Sequence, residues 1–226
     1  MKRAIFILGV FVLSFGIAAT AQSTILYENL LDADAGYGWF SNSGSQQIAE
    51  PFTLAIGANI TDVTWYGFFS GEQTTSSAFD ILFFDDISGS PSSTDFYQTT
   101  TATLEGSSTG QTNPYGDTIY EWSTTLSPNA TIPDTDNYWI SIRSVIETKY
   151  IWSVASSNLD GTVVYRISDT GSWSNATRGS GDAQAMTLEG TPLNPVPEPA
   201  TMLLLGTGLA GVAAFRRGFR KNNKDQ

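Results

Sequence analysis

Between Thr24 and Leu188 the apolar residues recur in steps of two. No stretch between the ends of the chain sustains a helical stripe of ten residues. Segments 24–30, 52–56, 60–69, 78–84, 118–126, 138–145, 150–155, 162–167 and 183–188 are short and rich in β-branched and aromatic residues. Gly, Ser, Asn, Asp and Pro separate them. Segment 95–104 reads as a tenth strand led by Phe96 and Tyr97, although its threonine run packs poorly. Strands at this spacing predict an all-β domain, an antiparallel β-sandwich of jelly-roll-like form. Alternation also assigns faces. Phe79, Ile81 and Phe83 point to the core, as do Tyr138, Ile140 and Ile142, while Trp139, Ser141 and Arg143 point outward. Segments 88–93 and 105–116 read as loops.

The chain has no cysteine, so this domain must be held by its core without disulfides. It has no histidine either, which removes the commonest general base and metal ligand.

Both ends differ from the middle. Met1-Lys2-Arg3 is a basic start, an apolar run follows, and Ala19-Thr20-Ala21 supplies a small-x-small cleavage pattern. Residues 1–21 therefore read as a secretory signal helix, cut before Gln22. Residues 22–190 form the β-sandwich domain and 191–199 a linker, which holds Pro192, Pro195, Pro197 and Pro199 and should be stiff and extended. Ala200 to Phe215 carries no charge, and Arg216 and Arg217 follow. A helix of that length rises about 24 Å, a little short of the roughly 30 Å hydrocarbon core, and flanking arginines close the gap by snorkelling. Residues 200–217 thus read as a single transmembrane helix with its basic end cytoplasmic, and 218–226 as a polar cytoplasmic tail.

Pro197-Glu198-Pro199, the apolar helix and the terminal arginines together resemble the PEP-CTERM sorting signal. That resemblance covers about the last thirty residues. It implies an exported protein of a Gram-negative bacterium, held transiently in the inner membrane and processed near the motif by an exosortase. It also implies a surface destination among extracellular polysaccharide. Sorting is what it implies, not an activity. The domain is similar, loosely, to the β-sandwich cargo of such anchored proteins.

Composition narrows the remaining classes. The segment 22–195 holds four basic and twenty acidic residues, a formal charge of −16. Nucleic acid and anionic lipid both need basic footprints and are excluded as partners. Gly206-Thr207-Gly208-Leu209-Ala210-Gly211 matches a dinucleotide fingerprint but follows a proline-rich linker instead of a strand. Gly106-Ser107-Ser108-Thr109-Gly110 matches a nucleophile elbow in a chain without histidine. Neither carries chemistry, and no catalytic residue is assigned.

Three uses of the side chains stay open. Asp85, Asp86, Asp134 and Asp136, with Asp32 and Asp34, put oxygen donors in loops, as a structural calcium ion would require. The same residues also stabilise turns without any metal. Outward Trp139, and secondarily Tyr66, could stack on the sugars of an exopolysaccharide, which would make the domain a carbohydrate-binding module. Glu121 and Glu147 are the acids a secreted glycosidase would use, if they stood about 5 to 9.5 Å apart. The reading adopted is a non-enzymatic cell-surface or matrix protein of a biofilm.

The isolated 22–194 fragment should fold alone, give a strand-dominated circular dichroism spectrum and melt at the same temperature with and without reductant. A strongly helical spectrum would overturn the fold class.

Overall fold

The computed structural model describes residues 23–31, 38–71, 74–145, 149–153, 163–175 and 183–193, with Gly206 and Gly208. The signal segment, the linker motif and the basic end, with Ala19, Ala21, Gln22, Pro197, Glu198, Pro199, Arg216 and Arg217, lie outside the described residues. The chain divides into two compact units, 1–193 and 194–226. Of the second, only Gly206 and Gly208 are described, both exposed and helical. Among the described residues no helix is long and apolar enough to cross a membrane.

The described residues of the first unit fold as β-structure. In chain order its described strands are β1 (Thr24–Asn29), β2 (Gly38–Phe40), β3 (Gln46–Thr53), β4 (Ala58–Phe69) and β5 (Ser76–Ser77). Next come β6 (Phe79–Asp85), β7 (Tyr97–Thr100), β8 (Leu104–Glu105), β9 (Ser107–Thr112) and β10 (Thr118–Ile132). The last are β11 (Asn137–Ser144), β12 (Tyr150–Ser153), β13 (Val164–Ile167), β14 (Ser174–Asn175) and β15 (Met186–Pro192). One sheet runs β1-β15-β4-β10-β9, with β12 beside β4 and β2 beside β12. The second runs β14-β13-β3-β11-β6-β7, and β5 with β8 makes a small third. Every strand pairing is antiparallel. From β3 to β4 to β6, and again from β10 through β13 to β15, the chain passes from sheet to sheet.

A shared core explains why the two sheets belong together. Val63 and Trp65 of β4, Trp122 and Leu126 of β10 and Leu188 of β15 pack with Phe79, Ile81 and Phe83 of β6 and with Ile140 and Ile142 of β11. Phe79 is the hub. Its ring lies 5.1 Å from Trp65, 5.1 Å from Tyr150 and 5.4 Å from Trp122. Gly67 on β4 leaves room for this cluster, since a Cβ there would stand 2.5 Å from the Ile151 carbonyl and 2.6 Å from the Tyr150 hydroxyl.

Several boundaries differ from the sequence reading, each for a physical reason. The strand expected at 52–56 lies at Gln46–Thr53. Its polar residues hid it, because Gln47 and Glu50 are both buried. Segment 105–116, read as a loop, contains β9, which pairs with β10 at one edge of the first sheet. An edge strand with no fully buried residue needs no apolar alternation, and its Ser-Thr-Gly run shows none. The turn that joins it to β10 is set by Asn113, whose Oδ1 accepts from the amides of Tyr115 and Asp117 at 2.9 and 2.8 Å. Gly116 provides the left-handed residue there, at φ 89°. At the far end β15 runs through Pro192, and Leu193 then donates its amide to the Gly57 carbonyl at 2.8 Å.

Replacing Phe79 by alanine should cost about 3 to 5 kcal/mol in urea unfolding, the range for a large aromatic lost from a packed core. A loss under about 1 kcal/mol would mean that the two sheets do not depend on this cluster.

Candidate functional site

Trp139 sits on β11 with its side chain on the face away from the inter-sheet core, as alternation requires. That face is not open. Ala49, Leu82, Phe84, Val164 and Trp173 pack around Trp139, leaving it 3% exposed. Its Nε1 donates to Asp86 Oδ1 at 2.7 Å. The expectation of a solvent-facing stacking platform is therefore corrected. A second apolar layer, completed by Trp173, covers the outer surface of the sheet.

Charge is buried in the same layer. Asp80 and Arg143 are direct partners across β6 and β11, with Arg143 Nε donating to Asp80 Oδ2 at 3.0 Å. The other arm of Arg143 reaches Asp169 in the turn after β13. Arg166 is 4% exposed. Its Nε donates to Gln47 Oε1 at 2.7 Å, and Gln47 donates in turn to Ser141 Oγ at 2.9 Å. The Arg166 guanidinium stands 4.5 Å from the Trp173 ring and 5.5 Å from that of Phe84. Burial lowers its pKa from the usual value, because the charged form gives up water. Trp173 Nε1 donates to the Ser92 carbonyl at 3.2 Å, which fastens the segment after β13 to the loop after β6. Sequence reasoning read Arg143 as an outward residue and missed this network. Its signal was Asp80, a carboxylate inside the apolar run Phe79-Asp80-Ile81-Leu82-Phe83-Phe84, which called for a cation opposite.

Tyr66 is elsewhere. It lies on β4 away from the core, beside Phe68, Ile119 and Ile151, on the outer face of the first sheet. Trp139 and Tyr66 thus occupy outer faces of different sheets and form no common site. Glu121 is the direct cross-strand neighbour of Tyr66 and accepts its hydroxyl. Burial, with this carboxylate beside it, pushes the Tyr66 phenol up to about 12. Glu147, the second acid considered for hydrolysis, lies outside the described residues, as do Asp32 and Asp34.

The loop acids are partly gathered. Asp85, Asp86 and Asp136 line one cavity of about 260 Å³ with Asn137 and Tyr138. Asp134 is turned to other work. Its Oδ1 accepts from the Tyr138 hydroxyl at 2.7 Å and from the Asp136 amide at 3.1 Å. Burial and this contact push the Tyr138 phenol up. Asp86 is also committed, to the Trp139 indole and, through Oδ2, to the Gly89 amide at 3.0 Å. Among the described residues no three acidic side chains stand together as a metal-holding group. A larger cavity of about 440 Å³ adjoins Asp86, lined by Tyr27, Thr53, Asn137, Trp139 and Asn175 among others. Thr53 Oγ1 donates to Asn137 Oδ1 at 2.6 Å, which fixes the amide at its wall.

Trp139→Ala should therefore destabilise the domain by about 3 to 5 kcal/mol, the range for a buried aromatic. A thermal melt unchanged from wild type would show that this indole contributes no packing.

No curated protein matches the chain. Its similarity to a known family lies in the tail, where residues 195–218 match the PEP-CTERM protein-sorting motif.

Proposed function

We propose that this is an exported, non-enzymatic surface or matrix protein whose β domain is cargo and whose tail is a processing signal. The match of residues 195–218 to the sorting motif carries the reading. That motif starts two residues after Leu193, the last described residue of the β unit. The signal segment 1–21 takes the chain across the inner membrane. The apolar segment 200–217 holds it there, basic end inward, until an exosortase acts near Pro197-Glu198-Pro199. Passage of the chain from one sheet to the other supports a jelly-roll-like sandwich as the cargo fold.

A saccharide-binding reading keeps one support, the 440 Å³ cavity whose wall carries Thr53, Asp86, Asn137 and Asn175. Hydroxyl-rich ligands are held by such groups. They would bind here without stacking on Trp139, which is buried.

Mass spectrometry of the surface-released protein should show a start at Gln22 and an end near Glu198, with the span removed. Recovery of mature protein that retains Arg216 and Arg217 would reduce the tail to an ordinary anchor.

A further inference from the structure

Glu50 is a buried carboxyl group that belongs to no described ion pair. It lies in β3 on the same face as Phe52, so its side chain enters the space between the sheets, where it is 1% exposed. Asn29, at the end of β1, donates from Nδ2 to Glu50 Oε1 at 3.4 Å and to the Gln184 carbonyl at 3.2 Å. The Gln184 backbone amide also bonds to Glu50. Oε2 has no hydrogen-bond partner. β1 belongs to the first sheet and β3 to the second, and Gln184 lies just before β15 of the first, so this junction ties the two sheets through one carboxyl group.

Among the described residues no cation forms an ion pair there. Ile140 faces Glu50 across β11. From β1 the titratable neighbour is Tyr27, whose hydroxyl donates to the Pro51 carbonyl at 3.5 Å. On β13, Tyr165 lies across from Ile48, two residues along β3 from Glu50. Tyr138 of β11 is held by Asp134. Among the described residues the ion pairs all belong to Arg143, on the opposite face of the second sheet. An ionised carboxylate in such a place costs several kcal/mol or takes up a proton instead.

We propose that Glu50 is a proton-dependent latch. As a neutral acid it lets β1 and the Gln184 segment close on β3, and on ionising it must be hydrated, which opens that edge of the first sheet. Burial holds its carboxyl well above the ordinary value of 4.5. Below that value folded and unfolded chains both carry a neutral group, and burial costs no charge. Above it the unfolded chain releases its proton and the folded chain keeps it, so stability falls as pH rises until the folded-state value is passed. An exported protein meets external pH directly, and the latch would loosen in alkaline surroundings.

Hydrogen exchange on the full-length protein in detergent micelles, corrected for the intrinsic pH dependence of exchange, reads this edge directly. From pH 5 to pH 8, protection of β1 amides and of residues 184–186 should fall at least tenfold relative to β6 and β11. In Glu50→Gln, which keeps the shape and cannot ionise, that fall should vanish. Equal pH profiles in the two proteins would overturn the proposal. Should Glu50→Gln not fold, infrared spectroscopy of the wild type decides. A protonated carboxyl band must persist at pH 7, and its absence would overturn the proposal equally.

Discussion

Phe79 stands between the two sheets with Trp65, Trp122 and Tyr150 around it, each ring from a different strand. Each such aromatic pair contributes roughly 0.5 to 1.5 kcal/mol beyond area burial, and tilted or edge-on geometry fixes how the strands face one another. The neighbouring structure follows from making room for this cluster. β4 must carry glycine at position 67, where Tyr150 and the Ile151 carbonyl crowd the backbone. Gly106 is likewise pressed against the Trp122 indole, at 2.7 Å from a would-be Cβ. A chain without cysteine has no covalent substitute for this packing.

The central strands of the second sheet, β6 and β11, are buried on both faces, and their chemistry follows from that. β6 is covered on all residues but its last, so the outward Asp80 cannot be left to water and is matched by Arg143 across the ladder. Arg166 meets the same need by lying against the Trp173 and Phe84 rings. Removing one partner of such a pair leaves an uncompensated charge, so these residues act as a unit. The layer they build is what closes over Trp139. The cavity of about 440 Å³ beside it lies at a polar rim that includes Asp86 and Asn137.

How much was legible follows from which faces water reaches. The alternation in β6 and β11 gave the inward residues correctly, because one face of each strand must meet the other sheet. It could not say whether the outer face was exposed, since that depends on a turn after β13 and on Trp173, distant in sequence. Trp139 was misjudged for that reason. β3 was misplaced because Gln47 and Glu50 look like surface residues and are buried by contacts made elsewhere. The edge strand β9 offered no pattern at all. The tail was the most readable part, since its meaning lies in local order: a proline-bracketed glutamate, an apolar run and arginines. No pattern of that kind marked a ligand site, because the acids and aromatics considered for it are scattered over two sheets.

On the proposed reading address and cargo are separable, with residues 195–226 carrying all the information for processing after export. Grafting those residues onto an unrelated exported reporter, in a host that has an exosortase, measures this directly. The account predicts that the reporter loses the span and reaches the surface, and that changing Pro197-Glu198-Pro199 to alanines leaves it uncut in the inner membrane. A grafted reporter that stays intact in the membrane, while the native protein is processed, would contradict it.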